Sequence, residues 1–235
     1  MLSPSVRSTF LRGLRASLPF TAMIVPFGAL FGIVARAHGV SILETMAFSI
    51  VVIAGASQFA ALQLMQEGAP LLIVILTATA VNLRMAMYSV AMAPHLGRAP
   101  LWQRALVAYV LIDQSYLLSA AAFEKERGWS LSEKLGYYFG SVVLLCGLWY
   151  LATWVGAAFG ALLPQGLAID FIVPVTFLAM ISPMLLTRAQ IAAALVSIGL
   201  SLALWWMPYS SGLLVAALCA MATGAAVETW EGRNA

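Results

Sequence analysis

Charged residues are scarce in this chain of 235 residues: Asp, Glu, Lys and Arg make up 9% of it, and the mean hydropathy is +0.96. A soluble domain carries about a quarter charged residues, so the composition excludes an ordinary soluble globular protein. About 20 apolar residues suffice for a helix to cross a bilayer. The sequence contains continuous uncharged runs of at least that length, at 16–35, 45–66, 135–169 and 189–227. Such runs predict membrane-spanning helices.

Cysteine and histidine are equally rare, with two of each. Cys146 and Cys219 lie deep in apolar runs and lack the spacing of a disulfide framework or a zinc site, so we interpret them as packing residues. His38 and His95 lie in connections between runs, where a solvated role is expected. No H-E-x-x-H motif and no phosphate-binding loop occurs in the sequence, and we expect no cofactor and no bound metal.

Catalysis has one superficial signal, the G-A-S sequence at 55–57, which resembles the surroundings of an intramembrane serine nucleophile. Neither histidine lies in a hydrophobic run from which it could serve Ser57 as a base, and Gln58 occupies the position where such sites typically have glycine. We therefore expect no enzymatic activity. The net charge of +3 comes from scattered basic residues, which does not favour nucleic-acid binding.

The hydrophobic pattern predicts an all-α, polytopic transmembrane bundle that forms one membrane domain over 1–235. The apolar run after the basic N-terminus has no A-x-A-like cleavage site, so we expect a retained first helix. Seven or eight hydrophobic segments are expected, one or two of them broken or re-entrant. They lie at about 17–36, 44–66, 69–92, 101–123, 135–163, 169–186, 189–207 and 210–227.

An internal duplication is predicted, because G-A-L-F-G at 28–32 recurs as G-A-A-F-G at 156–160. Each copy is followed by an acidic residue that opens the next segment, Glu44 in one case and Asp170 in the other. Duplicated halves are common in secondary transporters. The alternative is that such glycine pairs arise independently wherever small residues let helices pack closely. The possible repeat halves are 17–92 and 135–207.

The basic loops predict the orientation of the chain in the membrane. Arg7, Arg12 and Arg15 place the N-terminus in the cytoplasm, because cytoplasmic loops carry an excess of Lys and Arg. If every segment crosses, the repeat is parallel; if the second and sixth segments are re-entrant, it is inverted. Both arrangements put both termini in the cytoplasm, and the loop charges do not distinguish them.

Two charged side chains lie inside apolar runs, Arg84 in the third segment and Asp113 in the fourth. An arginine at a helix centre costs about 2.5 to 3.5 kcal/mol on insertion, so Arg84 is expected to have a partner, and Asp113 is the simplest one. Such a pair could merely hold two helices in register. Alternatively, Arg84 would bind a substrate carboxylate, while Asp113 would bind an ammonium group or carry a coupling proton.

Other polar side chains at comparable depth could line one cavity with this pair. Asn82 and Arg84 point in different directions on a regular helix, so both face one site only if the backbone there is irregular. A broken helix near Ser57 and Gln58 would supply free backbone donors and acceptors, and Phe59 with nearby methionines could contact an aliphatic group. The candidate substrate-binding or coupling residues are Ser57, Gln58, Phe59, Asn82, Arg84, Tyr88, Asp113 and Tyr116.

Several sequence blocks together resemble the AzlC family: G-A-S-Q-F-A-A at 55–61, G-A-P at 68–70, L-T-A-T-A-V-N-L-R at 76–84 with Y-S at 88–89, A-P-H-L at 93–96 and D-Q-S-Y at 113–116. The resemblance covers nearly the whole chain. It implies a subunit in the bacterial inner membrane that exports leucine, isoleucine and valine, with similar proteins also exporting methionine. It also implies a small membrane partner of the AzlD type.

Carried over position by position, the polar blocks of the family fall on Ser57, Gln58, Phe59, Asn82, Arg84, Tyr88 and Asp113. Met85 stands where the family pattern often has histidine, and Gln114 stands where it often has an acid. We therefore predict a secondary transporter subunit that exports small hydrophobic amino acids. The alternatives are a non-transporting scaffold that assembles with a small subunit and a channel for another small solute.

Overall fold

The structure, a computed structural model, describes residues 5–160, 185, 187–208 and 211–234. Within these ranges every regular element is helical, which confirms the predicted all-α class. A short 3-10 turn, Leu18–Phe20, joins the first two helices. The helices are α1 Val6–Ser17, α2 Thr21–Ala37, α3 Ile42–Val51, α4 Gly55–Gln66, α5 Leu71–Leu96, α6 Leu101–Tyr109, α7 Asp113–Lys125, α8 Leu131–Phe159, α9 Arg188–Ala203 and α10 Ser211–Asn234.

Four helical runs are long and apolar enough to cross a bilayer, namely Val6–Ala37, Leu71–Leu96, Leu131–Phe159 and Ser211–Glu231. The first run begins earlier than predicted, because Ser5 caps α1 by accepting a hydrogen bond from the Ser8 amide. The predicted sixth segment at 169–186, apart from residue 185, lies outside the described residues, and Asp170 lies outside them too.

The chain divides into two compact units. The first comprises Met1–Ala60 with Val81–Gln165, and the second comprises Ala61–Ala80 with Gly166–Ala235. In the second unit, α9 packs against α10. All eight candidate site residues belong to the first unit.

The core of the first unit is a long helical pair, in which α1 and α2 together pack along α8. A Cβ added at Gly13 would meet the Tyr137 carbonyl of α8, and one added at Gly32 would meet the Thr153 carbonyl. The contact positions rise together along both helices, so the helices run in the same direction. Glycine is required here because it lets the two backbones approach closely.

The two glycine motifs of the proposed duplication meet within this helical pair. Gly156 lies against the backbone of Ala29, and Gly160 lies against Ile33. The glycines therefore do pack at close range, as the small-residue alternative requires. Because the two motif helices are parallel, a duplication that relates them would be a parallel repeat; the duplication itself stays a prediction.

Helices α3 and α4 form a hairpin, because the chain reverses at the unwound residues 52–54. The side-chain amide of Gln58, on α4, donates to the Phe48 carbonyl of α3 at 3.2 Å. The Phe31 ring of α2 contacts both Phe48 and Phe59, one on each arm. The β-branched residues at the break favour it, because they lose side-chain freedom in a helix.

Helices α6 and α7 form a second hairpin around the unwound residues 111–112, beside α5. Helices α5 and α7 are paired by Arg84 with Asp113 and by Tyr88 with Tyr116, in the same order along both helices. The two helices therefore run in the same direction. Helix α6 starts just after α5 ends, and the residues that follow α6 reach Asp113, which lies beside the middle of α5. Helix α6 must therefore run antiparallel to α5 and alongside it.

The second and fourth predicted segments are thus reversing hairpins instead of single helices. A re-entrant second segment was one of the two topologies left open by the sequence. Both topologies had the fourth segment, 101–123, crossing the membrane, and the structure contradicts this part of each. The break in the fourth segment falls in the apolar sequence V-L-I at 110–112, which contains no glycine or proline to indicate it.

The basic residues of the first unit gather at one end of it. Arg12 Nη2 lies 2.8 Å from Glu126 Oε1, and Lys134 Nζ lies 3.4 Å from His95 Nδ1, so the starts of α1 and α8 and the ends of α5 and α7 meet there. Arg36 is 24 positions beyond Arg12 on the same helical run, or about 36 Å away at 1.5 Å per residue. The residues at or near the basic end are Arg7, Arg12, Arg15, Arg98, Arg104, Lys125, Arg127 and Lys134.

Candidate functional site

The tips of the two hairpins meet. The Tyr109 hydroxyl, at the end of α6, donates to the Ile50 carbonyl near the end of α3 at 2.6 Å. The Tyr150 hydroxyl of α8 lies 3.5 Å from the Tyr109 hydroxyl. Both breaks therefore lie well inside the length of α8, where a bilayer core would surround them. Broken helices at such a depth are tolerated only where protein or a water-filled cavity covers the free backbone groups.

Gln58 stabilises the first break. Its side-chain nitrogen donates to the Val52 carbonyl at 2.7 Å and to the Ser49 hydroxyl at 3.3 Å, in addition to its bond with Phe48. The bond to Val52 satisfies a carbonyl that the end of α3 would otherwise leave without a partner. Gln58 is fully buried, and losing such a donor costs about 1 to 3 kcal/mol per unsatisfied group. The predicted site residue Gln58 therefore has a structural role at the break.

Ser115 and Tyr138 stabilise the second break. The Ser115 hydroxyl accepts from the Ile112 amide at 3.0 Å and lies 2.9 Å from the Ile112 carbonyl. The fully buried Tyr138 donates to the Val107 carbonyl of α6 at 2.8 Å. The end of α6 is thus fixed to α8.

Asp113 is the first residue of α7 and pairs with Arg84, with 3.1 Å between Asp113 Oδ2 and Arg84 Nη2. The predicted ion pair is confirmed. A carboxylate in the first turn of a helix is stabilised by the helix dipole, so the hairpin places Asp113 favourably. The two side chains remain 37% and 35% exposed, which leaves this charge pair accessible to a small molecule.

Tyr88 and Tyr116 extend the contact between α5 and α7. Their rings stack with centroids 4.2 Å apart and planes inclined by 10°. Tyr88 also interacts with the Asp113 carboxylate. The stack lies one helical turn beyond the ion pair on both helices and forms an aromatic wall next to it.

Asn82 connects α5 to the other hairpin. Its side-chain nitrogen donates to the Ser57 hydroxyl at 3.0 Å, and Ser57 in turn donates to the Ala54 carbonyl at the break. The irregular backbone that would let Asn82 and Arg84 face one site is not present, because α5 is helical throughout. The two side chains point in different directions, as a regular helix requires, and each contacts the start of a different half-helix.

Several polar atoms around these contacts have no hydrogen-bond partner among the described residues. They are Asn82 Oδ1, Gln58 Oε1 and Asp113 Oδ1, which are acceptors, and Arg84 Nε, which is a donor. Buried polar atoms without partners are rare and call for an explanation such as a ligand or an ordered water. On the ion pair itself, an unpartnered acceptor of Asp113 lies beside an unpartnered guanidinium donor of Arg84, which suits a zwitterion, because its ammonium group donates and its carboxylate accepts.

Phe59 lies apart from these charges, in an aromatic cluster. Its ring centroid is 5.2 Å from that of Phe27 and 5.5 Å from that of Phe31, and its side chain is 6% exposed. Trp149 of α8 packs against the same two phenylalanines. A role for Phe59 in contacting an aliphatic group stays a prediction, while its packing role is evident.

The candidate residues thus fall into three neighbouring groups: the ion pair with its tyrosine stack, the bond between Asn82 and Ser57, and the break-stabilising Gln58 with Phe59. Sequence reasoning missed Tyr109, Ser115 and Tyr138, which fix the hairpins. Ser115 had a signal, because it follows directly after Asp113 and Gln114 in a polar block. Tyr109 and Tyr138 gave no such signal in the sequence, because each is surrounded by apolar residues, as tyrosines at a membrane interface often are.

Comparison with known families gives a match between residues 19–163 and the model of the AzlC protein family. The matched range contains both hairpins, α5 and all of α8. No solved structure matches the chain.

Curated proteins from bacteria and an archaeon are also similar. The inner membrane protein YgaZ of Escherichia coli strain K12 is 28% identical over 96% of this chain and 93% of that protein. An uncharacterized membrane protein of Archaeoglobus fulgidus is 31% identical over 99% of this chain and all of that protein. An uncharacterized membrane protein of Helicobacter pylori is 26% identical over 65% of this chain.

Proposed function

Since the chain belongs to the AzlC family of membrane proteins, we propose that it is the large subunit of a secondary transporter that exports leucine, isoleucine, valine and methionine. The observation that carries the proposal is the accessible pair of Arg84 and Asp113, held where two broken helices meet. Secondary transporters bind substrate near the bilayer midplane, at discontinuous helices. Transport needs no catalytic residue, and we propose no enzymatic activity.

The proposed binding mode assigns one charge of the substrate to each member of the pair. Arg84 holds the carboxylate, with its unpartnered Nε as an additional donor. Asp113 holds the ammonium group or exchanges a proton, and its unpartnered Oδ1 provides a further acceptor. A zwitterion that inserts between Arg84 and Asp113 replaces their mutual bond with two equivalent ones, so little electrostatic energy is lost on binding or release.

The charge distribution supports an orientation in the plasma membrane, the inner membrane of a bacterium. Cytoplasmic loops are enriched in Lys and Arg, and the basic end of the first unit carries nearly all of them. We place this end, and with it the N-terminus, in the cytoplasm. In that orientation α6 and α7 enter from the cytoplasm and α3 and α4 enter from the opposite side.

A small AzlD-like membrane subunit is proposed as the partner, on the basis of the family resemblance. The outward positions of α5 offer apolar contact area, since Leu83, Met87 and Val90 are 56%, 66% and 74% exposed in the isolated chain. Lipid or a partner helix would cover such residues in the membrane.

Efflux from cells tests the proposal. Cells that make this chain together with its small partner, preloaded with labelled valine, leucine or methionine, should lose the label faster than cells with either protein alone. Unlabelled leucine should compete with the labelled substrates. Unchanged intracellular label in every strain, with both proteins present in the membrane, would contradict the amino-acid proposal. Flux that does not saturate would instead favour a channel.

A further inference from the structure

A cavity of about 220 Å³ lies between α5 and α6 in the first unit. Ser89, Met92, Ala93 and Leu96 line it from α5, and Arg104, Val107, Ala108 and Leu111 line it from α6 or the residues just after it. Each set has the i, i+3, i+4, i+7 spacing of one helical face. The two faces oppose each other, but the small side chains on both helices leave a gap.

The floor of the cavity is apolar. Met92, Leu96, Val107 and Leu111 are between 3% and 7% exposed, and they belong to the same hydrophobic cluster. A dry cavity of about 150 Å³ in another protein holds a benzene molecule, so the volume here suits the aliphatic side chain of an amino acid. Apolar sites with few polar groups are typical of small-molecule binding.

Charged residues lie near both ends of the cavity. Arg104 lines it from the basic end of the unit. Its opposite end is close to the ion pair along the chain, because Ser89 follows Arg84 by just over one turn and Leu111 precedes Asp113 by two residues. The cavity therefore lies between the basic end and the Arg84–Asp113 pair, alongside the same helix.

We propose that this cavity is a substrate subsite, which holds the aliphatic side chain of an amino acid while Arg104 attracts its carboxylate, before the substrate reaches Arg84 and Asp113. The subsite rests on the proposed transport function, and it adds the place where the size of the substrate side chain affects binding. A methylene group more or less in an apolar pocket changes specificity by about 10- to 200-fold. The residues that limit the cavity then set the preference among aliphatic amino acids.

Substitution of Ala93 by leucine tests the subsite, because the larger side chain fills the gap. The matched control is Ala91→Leu, on the opposite face of α5, since Ala91 does not line the cavity. In the efflux assay, Ala93→Leu should lower the ratio of leucine to valine efflux on the order of tenfold. Ala91→Leu should leave the ratio unchanged, and membrane abundance of both variants is measured alongside.

The charge at the cavity is tested separately with Arg104→Gln, compared with Arg98→Gln outside the cavity. Arg104→Gln should slow leucine and valine efflux equally, because both substrates carry the same carboxylate. If the efflux ratio is the same in the wild type and Ala93→Leu while Arg84→Ala stops efflux of both, the subsite is refuted and the transport proposal stands. If the unaltered protein exports neither amino acid, both proposals fail.

Discussion

Arg84→Ala reduces amino-acid efflux on the order of 30-fold or more, while the protein remains in the membrane at normal abundance. The estimate follows from the loss of a charge-assisted contact to the substrate, which costs about 2 kcal/mol or more. Asp113→Asn should have a comparable effect, since it removes the other charge of the pair. Arg98→Ala is the matched control, because Arg98 lies exposed in the connection after α5 and contacts no part of the site.

A structural role for the pair predicts a different pattern. If Arg84 and Asp113 only hold α5 and α7 together, the double variant Arg84→Asp with Asp113→Arg should recover both abundance and efflux. If the pair binds substrate, abundance is normal in the single variants and in the exchanged variant, but the exchange does not recover efflux, because the reversed charges no longer match the half-helix ends around them. Near-normal efflux from Arg84→Ala would remove Arg84 from the transport path.

Gly156→Ala is expected to prevent folding or to lower the melting temperature in detergent by several degrees or more. The added Cβ would overlap the backbone carbonyl of Ala29, and its nearest neighbours are all backbone atoms that cannot rotate away. Overpacking of this kind costs about 1 to 3 kcal/mol, and more when backbones must separate. The loss would fall on the contact between α2 and α8, which positions both hairpins.

Gly147→Ala, on the same helix, provides the control. A Cβ at Gly147 meets no atom within 4 Å. Replacing glycine by alanine inside a helix stabilises it by roughly 0.5 to 1 kcal/mol, so this variant should melt at an equal or higher temperature. The same substitution thus has opposite effects at two positions nine residues apart. Equal melting temperatures for both variants would contradict the described packing of α2 on α8.

The sequence predicted the helical class, the membrane location and the ion pair, and each had a strong physical signal. A long, continuous uncharged run that lies in a bilayer can adopt few structures other than a helix. A lone arginine and a lone aspartate in neighbouring segments have few partners other than each other. Signals of this kind depend on composition and on the cost of burial, which a sequence displays directly.

The hairpins were harder to predict, because they depend on contacts between distant residues. The end of α3 is satisfied by Gln58, and the hairpin tips are joined by the bond from Tyr109 to Ile50. Hydropathy alone cannot distinguish a 23-residue segment that crosses from one that turns back at its middle. Gln58 was identified by its polarity, but its role at the break required the position of α3.

Cysteine accessibility tests the central claim, that two hairpins reverse inside the membrane and bring the starts of α4 and α7 to one site. Arg98→Cys, Gly128→Cys and His38→Cys are introduced one at a time after Cys146 and Cys219 are replaced by serine, and intact cells are treated with a membrane-impermeant maleimide. The structure predicts that positions 98 and 128 react only after the membrane is opened, whereas position 38 reacts from outside. Labelling of position 98 but not 128 in intact cells would mean that residues 101–123 cross the membrane, and it would contradict the hairpin and the site built on it.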